Sequence, residues 1–216
     1  LDVHMIETPM MAIEQSRQEL ERMGMGCSKM LQWLETLIQQ DTPDTDLADR
    51  LRKREQVLDS IQVEVADFVT NLLSSNIPHS VADEARQQLR MANEYESISD
   101  YVANLDKLDR KLRRNGHRFT TSQRADLKQL NRSVADYLNE VNEALAKGNK
   151  NVVTKTAASS KRIRDEIKLL RRKHLEELSS GNIEPAVSVA YLASLNAFFR
   201  VRDHATNIAE AISGEK

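Results

Sequence analysis

Glu96 and Asp100 stand four residues apart, with Asn104 one further step of four along the chain. On a helix this spacing brings all three side chains to one face, so two carboxylates and an amide could meet a common ligand. Glu55 and Asp59 repeat the four-residue carboxylate spacing some forty residues earlier. Converging carboxylates repel one another unless protons or cations compensate them. An all-oxygen set without Cys or His suits hard or borderline ions such as Mg, Mn, Fe or Ca. The plain alternative is that Glu and Asp four apart are common on solvated helix faces.

The stretch Glu94-Tyr-Glu-Ser-Ile-Ser-Asp-Tyr-Val-Ala-Asn104 has a partial second copy in Phe198-Phe-Arg-Val-Arg-Asp-His-Ala-Thr-Asn207. A shift of 103 residues carries Asp100 onto Asp203 and Asn104 onto Asn207. The same shift pairs Ile98 with Val201, Val102 with Ala205 and Leu105 with Ile208. A period near half the chain length points to a duplicated unit.

The elements that must position these residues read as helices. With 40% hydrophobic and 30% charged residues but only 6 Gly and 4 Pro in 216, the chain is poor in breakers and rich in helix formers. Thr8 is placed as the N-cap of a first helix that carries Ile6, Met10, Ile13, Leu20, Cys27, Leu31, Leu34 and Ile38 on one side. A second carries Leu47, Leu51, Leu58, Ile61, Val65, Phe68 and Leu72. Ser80-Val-Ala-Asp83 is expected to cap a third, which Asn115-Gly116 stops. The fourth carries Leu127, Leu130, Val134, Tyr137, Leu138, Val141 and Leu145. The fifth, from about 151 to 179, carries Val153, Ile163, Ile167, Leu170 and Leu175. The sixth opens at Pro185 and runs nearly to Ser213. Long helices joined by short turns lie antiparallel, which predicts an all-α fold of two tandem three-helix bundles, residues 1–116 and 117–216, sharing an interface.

Net charge is −2, so no whole-protein field draws the chain to nucleic acid or an anionic surface. The lone Cys27 excludes an internal disulfide and falls on an apolar face, as core rather than nucleophile. The five His fall into no metal-ligand spacing, though His204 lies beside Asp203 in the repeated motif. No phosphate loop, nucleophile elbow or zinc signature occurs. Two basic clusters, Lys111, Arg113, Arg114, His117 and Arg118 at one turn and Arg171-Arg-Lys-His174 in the fifth helix, read as solvated faces or as contacts for anionic headgroups or an acidic partner.

With these residues in place the chain resembles the PhoU family. Glu96-Ser-Ile-Ser-Asp100 followed by Asn104 matches that family's acidic third-helix motif. Arg202-Asp-His-Ala-Thr-Asn-Ile-Ala-Glu210 is similar to its Gly-Asp-His-x-x-Asn-Ile-Ala-Glu signature. Ile6-Glu-Thr-Pro, Ala12-Ile-Glu-Gln, Glu19-Leu-Glu-Arg-Met23 and Glu55 through Glu64 look most like the C-terminal domain of bacterial sodium/phosphate cotransporters. That resemblance implies a regulatory domain on the cytoplasmic side of the inner membrane, contacting the membrane domain of its own chain and open to homodimerisation. It implies no catalysis. The alternative is a stand-alone regulator of an ATP-driven phosphate importer and its sensor kinase. A metal-dependent helical-bundle enzyme is a further reading, but it needs Glu-x-x-His pairs that the chain lacks. The family's metal sites, carried over, fall on Asp59, Glu96 and Asp100, with Glu55 an additional ligand, for a divalent or iron-type ion in the first repeat. In the second repeat Asp203 and Asn207 are vestigial, because Phe199 replaces Glu96. Arg162 or Asp165 stands opposite Asp59, depending on the alignment chosen.

Overall fold

The computed structural model describes residues 9–179, 181 and 183–214. Thr8 and Ile6 lie outside the described residues. Six helices follow one another: α1 (Pro9–Gln39), α2 (Thr45–Leu73), α3 (His79–Arg114), α4 (Thr121–Ala146), α5 (Val152–Ser179) and α6 (Pro185–Ser213). Among the described residues there is no strand. The chain is therefore all-α, as its periodicity predicts.

Local chemistry accounts for the helix ends. The Asp44 side chain accepts the Leu47 N–H at 2.9 Å and starts α2. Thr120 and Gln123 form a reciprocal capping box, at 3.1 and 3.0 Å, that starts α4. The expected cap on α3 is corrected. That helix begins at His79, Pro78 holds the N-cap position without a side-chain bond, and Ser80 already lies inside the first turn. The fixed φ of proline sets the entry angle by itself. Gly116, at φ +79°, takes the left-handed turn after α3 that a side chain would strain.

Four helices form the inner layer. α3 packs most extensively against α6, α1 against both α3 and α4, and α4 against α6; α2 and α5 flank this square on the outside. A single apolar cluster draws on all six helices, so the core is continuous across the duplication. Its largest buried side chains include Tyr95 and Phe198, which are 103 residues apart. The close approach of α1 to α4 depends on Gly24. A Cβ there would stand 2.7 Å from Asn142 Oδ1, and that amide is fixed by Tyr95 Oη (2.8 Å) and by Gly24 O (3.0 Å).

Burial patterns set the register of the repeat helix by helix. In α1 and α4, Leu20, Met23, Cys27, Met30, Leu31 and Leu34 match Leu127, Leu130, Val134, Tyr137, Leu138 and Val141, a shift of 107. In α2 and α5, Leu51, Leu58, Val65 and Val69 match Thr156, Ile163, Leu170 and His174, a shift of 105. In α3 and α6, Tyr95, Ile98, Val102 and Leu105 match Phe198, Val201, Ala205 and Ile208 at 103. The shift contracts by two between successive helices. Neither sequence alignment of the fifth helix survives this: Arg164, rather than Arg162 or Asp165, stands in the position of Asp59.

The fifth-helix face also needs correcting. Leu175 is 55% exposed, whereas His174 is buried against Tyr191 and its Nε2 lies 2.8 Å from Ser188 Oγ. The helical period runs through 163, 167, 170 and 174 and leaves residue 175 about 100° away. His174 therefore belongs to the core and not to the basic cluster around it.

Candidate metal centre

α2 and α3 lie side by side, which brings the two acidic pairs together. One carboxylate oxygen each from Glu55, Asp59 and Asp100 falls within 4.8 Å of the others. Asp59 is half-buried beside Leu58, and its Oδ1 is shielded from solvent with no hydrogen-bond partner. An orphaned buried carboxylate oxygen costs desolvation that nothing in the protein repays. Glu96 lies outside this trio and accepts a hydrogen bond from Ser97 Oγ at 3.3 Å. Asn104 is exposed and lines the adjoining cleft.

The field at the strip is uncompensated. Burial, then the Asp59, Asp100 and Glu96 charges, pushes the Glu55 carboxyl above its ordinary range. Burial followed by Asp100 raises Glu96, and burial followed by Asp59 raises Asp100. These groups hold one another's protons, the electrostatic state that a divalent cation relieves. The donor set is all oxygen, and the unsatisfied Asp59 Oδ1 is available, so the residues present fit a hard or borderline cation.

The matching place in the second repeat is built differently. Phe199 stands where Glu96 stands, and the Arg202 guanidinium lies over its ring, 4.8 Å from the centroid. The same guanidinium reaches Asp203 at 3.0 Å, with only a tenth of the Arg202 side chain exposed. A resident cation thus occupies the space between the positions of Glu96 and Asp100. Arg202 falls where the matching stretch of the family signature has Gly.

Asp203 and Asn207 therefore do not form a second acidic centre, but this stretch of α6 has other work. Asn207 Nδ2 donates to Glu94 Oε2 at 3.0 Å, and His204 Nδ1 lies 2.7 Å from the same oxygen. Burial alone would raise Glu94, yet the hydrogen bonds from His204 and Asn207 outweigh it and hold the carboxyl below its ordinary range. The His204 ring stacks on Tyr101 at 5.6 Å, its own counterpart under the shift of 103. Glu94 opens the quoted motif, but nothing in its spacing singles it out as the acceptor between the repeats.

Two triplets of antiparallel helices, duplicated in register and carrying an acidic strip in one copy, define the class of fold. The sequence profile of the PhoU domain matches residues 18–108 and again 127–212, and the chain belongs to the PhoU family. Its backbone is similar to PhoU from Pseudomonas aeruginosa, with 17% identity, a TM-score of 0.71 and 93% of this chain and 95% of that one covered. It is also similar to the phosphate transport system regulatory protein PhoU from Streptococcus pneumoniae, with 15% identity, a TM-score of 0.81 and 95% of each chain covered. No curated protein sequence matches the chain. No helix of the described residues is long and apolar enough to cross a membrane.

Proposed function

We propose that the chain is a PhoU-type regulator of phosphate transport that acts through contacts between proteins and performs no covalent chemistry. The observation that carries this reading is the PhoU-domain match in both repeats. It is supported by likeness over nearly the whole length to a protein described as a phosphate transport system regulator. Of the two settings considered from sequence, these relatives favour the stand-alone regulator. The cotransporter setting rests on the residue resemblance alone. Long antiparallel helices present broad faces for docking, and the Ser188 hydroxyl that lies beside His174 is buried in the core, closed to a substrate.

Deleting the chain in its source cell tests the reading. Phosphate uptake is expected to stop falling when phosphate is plentiful. Uptake that still responds to phosphate as before would remove the regulatory role.

Within that function, Glu55, Asp59 and Asp100 would hold a single divalent or iron-type cation, with Glu96 beside them. When bound, such an ion supplies positive charge that ties α2 to α3 and releases the repulsion in the strip. Titration of the purified chain with Mn or Fe, read by calorimetry, should give one site per chain that Asp59→Asn removes. Equal binding by the variant would exclude these ligands.

A further inference from the structure

A cleft of about 720 Å³ runs between α2 and α3 beside the acidic strip. Glu55, Asp100 and Asp106 stand in its wall, but cations outnumber them: Arg52 from α2, which also reaches Asp49 at 3.2 Å, and Lys107, Arg110, Lys111 and Arg114 from α3. Most acids at this end of the molecule are already claimed. Asp106 takes Arg110 at 2.7 Å, Asp109 takes Arg113 at 2.7 Å, and Asp41 takes Arg124 at 2.6 Å. Among the described residues, Lys107, Lys111 and Arg114 make no ion pair and no side-chain hydrogen bond.

Basic residues in the last turn of a helix commonly complement its dipole, and that accounts for Lys111 and Arg114 alone. It does not account for Lys107, a turn earlier. Nor does it account for Asp106, which is 4% exposed and whose only ion pair among the described residues holds the Arg110 guanidinium at the cleft. A buried carboxylate that orients a guanidinium toward an open cleft is a costly arrangement unless the guanidinium has something to bind.

We propose that this cleft is a binding site for a polyphosphoryl anion, such as a short polyphosphate or the triphosphate of a nucleotide. Lys107, Lys111 and Arg114 follow one another at four and three residues and form a single strip. The strip is roughly 10 Å long at 1.5 Å per residue. A single tetrahedral phosphate meets both ends only if the long side chains fold toward each other, whereas a chain of linked phosphoryl groups meets all three with the side chains extended. Arg110 supplies the planar fork that suits phosphoryl oxygens, and the ammonium groups act as point charges along the chain. The site does not depend on a cation at Asp59.

The experiment is calorimetric titration of the full chain with sodium tripolyphosphate and, separately, with inorganic phosphate, at low salt with a chelator present. Tripolyphosphate is expected to bind at least tenfold more tightly than inorganic phosphate and to weaken as salt is added. The Lys107→Ala, Lys111→Ala, Arg114→Ala triple variant should lose tenfold or more in affinity, and its melting curve should fall only by the small amount that lost helix-end charges cost, because all three side chains are exposed. A Lys147→Ala, Lys150→Ala control, at the α4–α5 connection, should bind as the parent does. Equal affinity for the two anions would overturn the proposal, as would a triple variant that binds normally. So would sedimentation of the chain with anionic lipid vesicles without tripolyphosphate binding, which would make the strip a membrane footprint.

Discussion

Asp100 and Asp203 occupy the same register position on α3 and α6, yet they live in opposite electrostatic worlds. Around Asp100 the nearest charges are Asp59, Glu55 and Glu96, and its carboxyl is pushed upward by burial and by Asp59. Around Asp203 the nearest charge is Arg202, 3.0 Å away and stacked on Phe199. One copy of the duplicated frame leaves its charge open to an outside cation, and the other carries its cation in the chain. A fold held by a continuous apolar core tolerates both arrangements, because the core positions and not the strip residues hold the helices together.

The largest expected effect breaks this comparison at its acidic side. Asp59→Asn keeps the shape but removes the orphaned charge, and cation affinity measured by calorimetry should fall by about 100-fold or more, since even an outer-shell change costs up to that much. Conversely, Ser160→Glu and Arg164→Asp, combined with Arg202→Ser and Phe199→Glu, recreate the first strip in the second repeat around Asp203. The number of ions bound per chain should then rise from one to two.

Next comes Arg202 itself. Arg202→Ala leaves Asp203 unpaired beside a partly opened Phe199 and should cost about 1–3 kcal/mol in denaturant unfolding. Its counterpart Ser99 makes a single 2.8 Å bond to Glu96 O, and Ser99→Ala should cost no more than about 1 kcal/mol. A reversed order would show that the resident cation does not stabilise the second repeat.

Asn207 and Asn104 sharpen the contrast at smaller scale. Asn207→Ala loses a hydrogen bond to the Glu94 carboxylate and should cost about 1 kcal/mol. Asn104→Ala, on an exposed site, should stay within about 0.5 kcal/mol. The Asn207 contribution also has a pH signature. Glu94 is held below its ordinary value in the folded chain, so the stability it adds is present above the usual carboxylate range and fades as pH falls through the lowered value.

The smallest effect is the opposite in sign. Glu55 titrates above its ordinary value, so in the metal-free chain folding favours its protonated form. The matching stability is present at acid pH and is lost as pH rises through the raised value. Glu55→Gln should therefore stabilise the metal-free chain at neutral pH by a few tenths of a kcal/mol, the scale of a like-charge pair four apart. That gain should vanish in acid; a gain independent of pH would mean that Glu55 does not feel Asp59 and Asp100.

Much of the frame was legible because helical periodicity needs only local spacing. The α6 start at Pro185 and the stop at Gly116 follow from neighbours within one or two turns, and the Asp100/Asp203 register follows from the motif that α3 and α6 share. The convergence of Glu55 and Asp59 with Asp100 was legible as a condition, since it held only if α2 packed beside α3. Leu175 misled because an apolar residue one position off the stripe reads like a member of it, while His174 looked basic in a run of basic neighbours. The fifth-helix register was out of reach because a motif shared by α3 and α6 says nothing about how the shift changes at each connection.

By itself the sequence determined the six helices, their duplication and the acidic pairs, since propensity, capping and the 3.6-residue period act over a few residues. Tertiary structure alone decided that Arg202 is the second repeat's own cation and that Asn207 and His204 reach Glu94 across the α3–α6 seam. It alone decided, too, that Lys107, Lys111 and Arg114 share a cleft with Arg52 while Asp106 and Asp109 are paired with Arg110 and Arg113. Charge pairing depends on distances of a few ångströms between residues far apart in the chain, and packing sets those distances.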